Sequence, residues 1–190
     1  MHSTEVKDLI VQAGDPVLRG IAKPVAKKDI GSAKITKVIA RMKKALAAED
    51  FGVAIAAPQI GEPLRIFVIS GKAFAPVVKE GEKAPPTPPD RVFINPEITR
   101  LSRKKHEMSE GCLSVRGKYG TVMRHEKASI QALDENGKTI TYHGSALIGH
   151  IFQHECDHLE GILYTDKVVR LEEDEDMQTA RAKLKDKHGV

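Results

Sequence analysis

Gln153-His154-Glu155-Cys156-Asp157-His158-Leu159-Glu160-Gly161 gathers strong ligand types at a spacing with a mechanical meaning. On a helix, His154 and His158 stand one turn apart on the same face, with Cβ atoms about 5–6 Å apart. Two imidazoles so placed can share one metal ion. Glu155, one residue round from the first of them, can lean toward a water in the ion's open position, so H-E-x-x-H reads as a metal site with a built-in general base. The same segment decides the fold. Leu147, Ile151, His154 and His158 fall at i, i+4, i+7 and i+11, while Ile148, Phe152 and Leu159 cover a second side. A helix apolar round most of its circumference is a buried one. Composition alone would produce the five-residue H-E-x-x-H pattern about 0.026 times in such a chain. An unpartnered buried imidazole would cost about 1–3 kcal/mol, which metal ligation avoids.

Outward from this helix, Gly144-Ser145 supplies its start and Gly161 its stop. The hairpin before it comprises Ser129 to Leu133 and Thr139 to Tyr142, joined through Asp134-Glu135-Asn136-Gly137, whose Asn-Gly is a strong turn signal. Strands are also predicted over Leu64 to Ile69 and from Arg91 to Asn95, with more strand content after the stretch from Lys104 to Val115. Residues 71–90, rich in Pro, Gly and Lys, read as a long exposed loop. Toward the N-terminus, a short strand or helical turn at residues 5–12 precedes a loop marked by Asp15-Pro16, Gly20 and Pro24. Ser32 then caps an amphipathic surface helix whose apolar set is Ile35, Val38, Ile39, Met42 and Leu46. Beyond an extended piece at Ile162 to Val168, an acidic start at Glu172 to Asp176 and a basic end at Arg181 to Lys187 predict a terminal helix that complements its own dipole. The predicted class is α+β: antiparallel strands wrapped around a central buried metal-binding helix, with an N-terminal surface helix and a C-terminal helix. Residues 1–170 are expected to form a single metallohydrolase domain and 171–190 a helical extension.

The 190 residues, 41% hydrophobic and 29% charged, suit one soluble domain with a single good core. No apolar run approaches the roughly 20 residues of a membrane span. Met1 to Asp8 are polar with both charge signs, unlike a secretory or transit leader. The two cysteines, Cys112 and Cys156, make no disulfide framework and point to a reducing, cytoplasmic setting. A net charge of +4 without an aromatic and basic cluster argues against dedicated DNA reading.

A catalytic metal usually takes three protein ligands. Cys112 is the leading third, in an extended stretch after a glycine, His-Glu-Met-Ser-Glu-Gly-Cys-Leu-Ser-Val. Cys156 lies about 200° round the helix from either histidine and reads as a small core residue. His2, His106, His125, His143, His150 and His188 lack comparable spacing and read as surface or packing residues. Residues 51–61, Phe-Gly-Val-Ala-Ile-Ala-Ala-Pro-Gln-Ile-Gly, are mostly small and read as a tightly packed turn carrying one uncharged amide, Gln59.

Three stretches, Gly52-Val-Ala-Ile-Ala-Ala-Pro-Gln59, Glu110-Gly-Cys-Leu-Ser114 and Gln153-His-Glu-Cys-Asp-His158, resemble in order and spacing the three signature motifs of the peptide deformylases. The similarity extends from about Asp15 to Val169. The resemblance implies one divalent ion held by Cys112, His154 and His158, commonly Fe(II), with zinc, nickel or cobalt able to replace it and water in the fourth position. It implies a substrate peptide bearing N-formylmethionine and release of formate. Glu155 would take the proton from the attacking water, and Gln59 with the Leu113 backbone N–H would hold the developing oxyanion. Val53, Ala54, Met108, Glu110, Leu147 and Ile151 would contact the substrate, with Val53, Met108, Leu147 and Ile151 forming a slot for the methionine side chain. Arg124 and Asp157 would pair and brace the helix.

Two positions depart from the family pattern. Ala54 stands where glycine is usual and would crowd the approaching peptide, and His150 replaces an arginine or aliphatic residue. Two other readings remain. In one, the chain is an H-E-x-x-H peptidase whose third ligand is Glu172, Glu173 or Glu175. In the other, it is a silent relative that binds nascent chains, or ribosomes through Arg181, Lys183, Lys185 and Lys187.

Overall fold

Alternation of apolar side chains along extended segments places one sheet between two helices. The computed structural model describes residues 9–76, 83 and 85–173. Strands β1 (Ala54–Ala56), β2 (Ile66–Ile69), β3 (Arg91–Leu101), β6 (Lys127–Leu133) and β7 (Thr139–Ser145) form a five-stranded sheet in the order β1-β2-β3-β6-β7. Strands β4 (Lys105–Cys112), β5 (Val115–His125) and β8 (Val168–Glu173) form a second sheet in the order β4-β5-β8. Every pairing of these strands is antiparallel.

β2 is wholly buried because both faces of the first sheet are covered. Ile66 and Val68 join Val92, Ile94 and the apolar stripe of α1 (Ala33–Ala47), whereas Phe67, Ile69 and Phe93 meet Ile151, Phe152 and Leu159 of α2 (Ala146–Leu159). Strict alternation thus sends odd and even residues to different cores. Phe67 stacks on Phe93 at 4.7 Å, and Phe152 meets Phe93 edge-on at 5.7 Å. Fully burying each such ring is worth about 1.5–3 kcal/mol.

All five predicted apolar residues of α1 are buried, and Ser32 caps it through Ile35 N, 3.4 Å from Ser32 Oγ. α2 touches β1, β3, β6 and β7 of the first sheet and β5 of the second. Its end is a Schellman closure: Gly161, at φ +72°, donates to His158 O at 3.2 Å, and Ile162 donates to Asp157 O at 2.9 Å. Its start is less regular. Ser145 occupies the N-cap position but makes no side-chain cap, and Ala146 adopts φ +46°. The β6–β7 turn forms at the predicted place, with Asp134 Oδ1 accepting from Asn136 N and Lys138 N, both at 2.9 Å.

Four expectations change, one of them the extended piece at Ile162 to Val168, which holds a 3-10 turn at Tyr164–Asp166. Gly71–Phe74, placed in the long loop, is a short 3-10 turn. The predicted strand at Arg91 runs on to Leu101, because β6 supplies a partner along its second half. Residues 171–173, expected to begin the terminal helix, extend β8 instead, with Tyr119↔Glu172 and Lys118↔Glu173 in register. The division expected after residue 170 therefore falls inside a strand. The rest of that helix, with Glu175 and the basic residues from Arg181 to Lys187, lies outside the described residues, as do His2 and His188.

Candidate metal centre

The β4–β5 hairpin brings Cys112 to α2. Cys112 ends β4 and pairs with Val115 across the Leu113-Ser114 turn. Gln12 Nε2 donates to Leu113 O at 3.1 Å, and Ala13 N donates to Ser114 O at 2.7 Å, so this turn is pinned from the N-terminal segment. Cys112 Sγ lies 3.2 Å from His158 Nε2. The His154 and His158 ring centroids are 4.9 Å apart. One donor atom from each of the three residues falls within 4.8 Å of the others, and among the described residues this is the group able to hold a metal ion.

A buried carboxylate orients the first imidazole. His154 Nδ1 is 2.7 Å from Glu110 Oε2, which leaves Nε2 for the donor set. Glu110 is 3% exposed, yet each of its oxygens has two partners. Arg124 Nε donates to Oε1 at 2.5 Å, Arg124 Nη2 donates to Oε2 at 3.0 Å, and His150 Nε2 lies 2.7 Å from Oε1. Burial pushes the Glu110 carboxyl up, but hydrogen bonds to His150, His154 and Arg124 outweigh it and hold the group well below the usual carboxylate range. Arg124 Nη1 also donates to Asp157 Oδ2 at 2.6 Å, and Lys167 Nζ donates to Asp157 Oδ1 at 2.7 Å. This chain of charges ties β4, β5 and α2 together. Glu110, expected to contact substrate, borders the cavity but has both oxygens committed to this network. His150, expected as a surface or packing residue, is one of its members.

Glu155 follows His154 on the helix and is 3% exposed. Burial, opposed by the charge of His154 and helped by that of Glu110, pushes its carboxyl up to about 7. Glu155 Oε2 and His158 Nδ1 are, among the described residues, buried side-chain atoms without a hydrogen-bond partner. A buried carboxylate oxygen without a partner, on a residue that borders the same cavity as Cys112 and His154, is free to accept a hydrogen bond from a ligand. One sulfur and two imidazole nitrogens suit a borderline-soft divalent transition ion, so the residues present fit a metal.

Gln59 is held on both sides. Its Oε1 accepts from Ala56 N at 2.8 Å, and its Nε2 donates to Ser114 Oγ at 3.2 Å and lies 3.5 Å from Cys112 Sγ. The small-residue stretch is thus both a packed turn and the mount for an amide at the site. A cavity of about 840 Å³ opens here, and Val53, Ala54, Met108, Leu147 and Ile151 border it together with Glu155. Leu147 is exposed despite its place on the apolar stripe, because the cavity passes over the first turn of α2. Cys156, half-buried on α2, packs against the core, where burial pushes its thiol up to about 12.

Several contributors receive no role from the sequence, although Ser114 and Gln153 stand within the signature stretches. Ser114 is fully buried against Gln59. Gln153 clamps α2 to β5 by accepting from His125 N at 3.0 Å and donating to His125 O at 2.9 Å. Tyr164 lies beside the His154 ring with its hydroxyl donating to Lys118 O at 2.9 Å. Their roles depend on which strands pair, which local pattern does not reveal.

A family model described as polypeptide deformylase matches residues 7–174. The chain is 41% identical over 166 residues to peptide deformylase 1A, chloroplastic, of Solanum lycopersicum, a match covering 84% of this chain and 59% of that protein. It is 36% identical over 183 residues to the peptide deformylase of Mesorhizobium japonicum, covering 96% and 95% of the two chains. It thus spans about three fifths of the plant proteins it matches, and nearly all of that bacterial one. Among solved structures, a peptide deformylase from Synechococcus elongatus in complex with actinonin aligns with TM-score 0.69 and 33% identity, covering 84% of this chain and 77% of that one. A Met-Ala-Ser bound class I type b peptide deformylase from Acinetobacter baumannii aligns with TM-score 0.72 and 30% identity, covering 84% and 96%. Since the family match takes in every strand and helix that builds the cavity and its donor set, the chain belongs to the polypeptide deformylase family.

Proposed function

We propose that this chain is a metal-dependent hydrolase that removes the formyl group from N-formylmethionine of newly made polypeptides, releasing formate. The observation that carries the reading is the convergence of Cys112 Sγ with two imidazoles beside the unpartnered Glu155 Oε2, at the wall of a cavity. Polypeptide deformylases are metal-dependent, and Cys112, His154 and His158 would hold the ion. We assign Fe(II), with zinc, nickel and cobalt as replacements that the same ligands suit. When bound, such an ion supplies Lewis-acid chemistry, polarising the formyl carbonyl and making water acidic enough to attack at neutral pH.

The chain's own residues supply the rest. Glu155 takes a proton from the attacking water at Oε2 and delivers it to the leaving amine. The Gln59 amide, held by Ala56 N at its Oε1 and by Ser114 Oγ at its Nε2, donates from Nε2 to the formyl oxygen as charge develops on it, joined by the Leu113 N–H. Val53, Met108, Leu147 and Ile151 receive the methionine side chain and keep water from it, with Ala54 beside the peptide. The relative bound to Met-Ala-Ser supports the same peptide class here.

Both described cysteines are free, which suits a reducing, cytoplasmic setting, and no helix among the described residues is long and apolar enough to cross a membrane. A transient ribosome contact through Arg181, Lys183, Lys185 and Lys187 belongs to the same proposal. Salt-dependent ribosome binding that survives truncation at Ala180 would remove it.

The test is formate release from formyl-Met-Ala-Ser, measured anaerobically with Fe(II) because oxidation threatens a thiolate ligand. Cys112→Ala is expected to lose the metal and the activity together. Full metal occupancy in that variant, with cleavage of internal peptide bonds, would instead favour the H-E-x-x-H peptidase.

A further inference from the structure

The mouth of the cavity carries an ion pair that the proposed chemistry leaves unused. Arg116 Nη2 donates to Glu49 Oε1 at 2.7 Å, and Arg116 Nη1 donates to Glu49 Oε2 at 3.4 Å. Both residues border the cavity, Glu49 from the segment that leads from α1 into β1 and Arg116 from the start of β5. The pair therefore joins β5 of the second sheet to the segment that leads into β1 of the first. β1 and β4 are edge strands of those sheets, and an extended peptide can add to such an edge.

An exposed ion pair is worth little, since water competes for both partners. This one differs in two respects. It is a fork-to-carboxylate contact, and the Glu49 side chain is only 11% exposed while that of Arg116 is 43% exposed. The base of the Glu49 side chain is fixed: the 49–52 turn closes through Gly52 N donating to Glu49 O at 3.2 Å, and a Cβ at Gly52 would come within 2.9 Å of Glu49 Cβ. The arginine spans from the exposed wall to that fixed point. Neither residue belongs to the donor set, the proton acceptor or the apolar slot.

We propose that Arg116 and Glu49 are positioning residues for the part of the substrate that follows methionine. By fixing the separation of the two walls, they hold the peptide backbone beyond its first residue. The inference rests on the deformylase reading. Its test compares formyl-Met-Ala-Ser with N-formylmethionine amide, which lacks the following residues, in Glu49→Gln, Arg116→Gln, Arg116→Lys and the double Gln variant. Each single Gln variant is expected to raise KM for the tripeptide about fivefold, with kcat lowered by less, and to raise KM for the amide less. Arg116→Lys, which keeps the charge and loses the fork, falls between parent and Arg116→Gln. The double variant matches the worse single one, because two partners of one contact are lost only once. An unmoved KM, equal increases for both substrates, or additive effects in the double variant would each overturn the pair's role. If Glu49→Gln does not fold, the more exposed Arg116 variants carry the comparison. No formate release from the Fe(II)-loaded parent would overturn the reading beneath; release with an unmoved KM ratio would overturn the pair alone.

Discussion

Arg124→Ala tests the charge network directly. The Arg124 side chain is 5% exposed and supplies three hydrogen bonds, two to Glu110 and one to Asp157. Removing one partner of a buried pair costs about 3–5 kcal/mol, because the other charge stays behind without compensation. The lower end applies here, since Glu110 keeps His150 and His154, and Asp157 keeps Lys167. For a domain of this size, about 3 kcal/mol lowers the thermal midpoint by roughly 6–12 °C. Glu110 also orients His154, so metal affinity should fall about 10- to 100-fold. Thermal unfolding at saturating metal, with chelator competition for affinity, measures both. Glu110→Gln in the same background removes the stranded charge while keeping an acceptor for His154, and should recover part of the lost stability. A midpoint drop under about 3 °C with unchanged metal affinity would refute the claim that this network holds the ligand helix.

Phe152→Ala removes a fully buried ring packed on Phe93 and should cost about 3–5 kcal/mol in urea unfolding. Gly149→Ala sets two effects against each other: helix propensity favours alanine by about 1 kcal/mol, but a Cβ there would stand 2.8 Å from Gly144 O. Overpacking costs about 1–3 kcal/mol, so the variant should be less stable, and a stabilised Gly149→Ala protein would show that α2 can move off β7. A hydrogen bond from Arg19 lowers the Asp166 pKa from its ordinary 3.8. The pair therefore stabilises the fold above pH 3.8 and loses that contribution as pH falls through the lower folded value. Both side chains are well exposed, so Arg19→Ala should remove only about 0.2–1 kcal/mol at neutral pH and flatten the acid limb of the pH–stability curve.

Short-range chemistry was readable from residue order. The stripe on α2, the Ser32 cap, the Gly161 stop and the Asn-Gly turn each depend on neighbours within a few positions, and backbone geometry alone relates such neighbours. The pairing of His154 with His158 is of the same kind, set by one helical turn. The extent of β3 and the ending of β8 were not readable in this way, because a strand continues only where another strand offers hydrogen bonds.

By itself, residue order determined that one buried helix would carry two imidazoles and a carboxylate, since periodicity and burial are written into the spacing of apolar side chains. Only the tertiary structure decided that Glu110 is spent on Arg124, His150 and His154, that Gln59 leans on Ser114, and that Arg116 reaches Glu49. Those partners are 14 to 67 positions apart in the chain. A carboxylate's role is set by which charges surround it after the sheets have closed, and no local pattern encodes that enclosure.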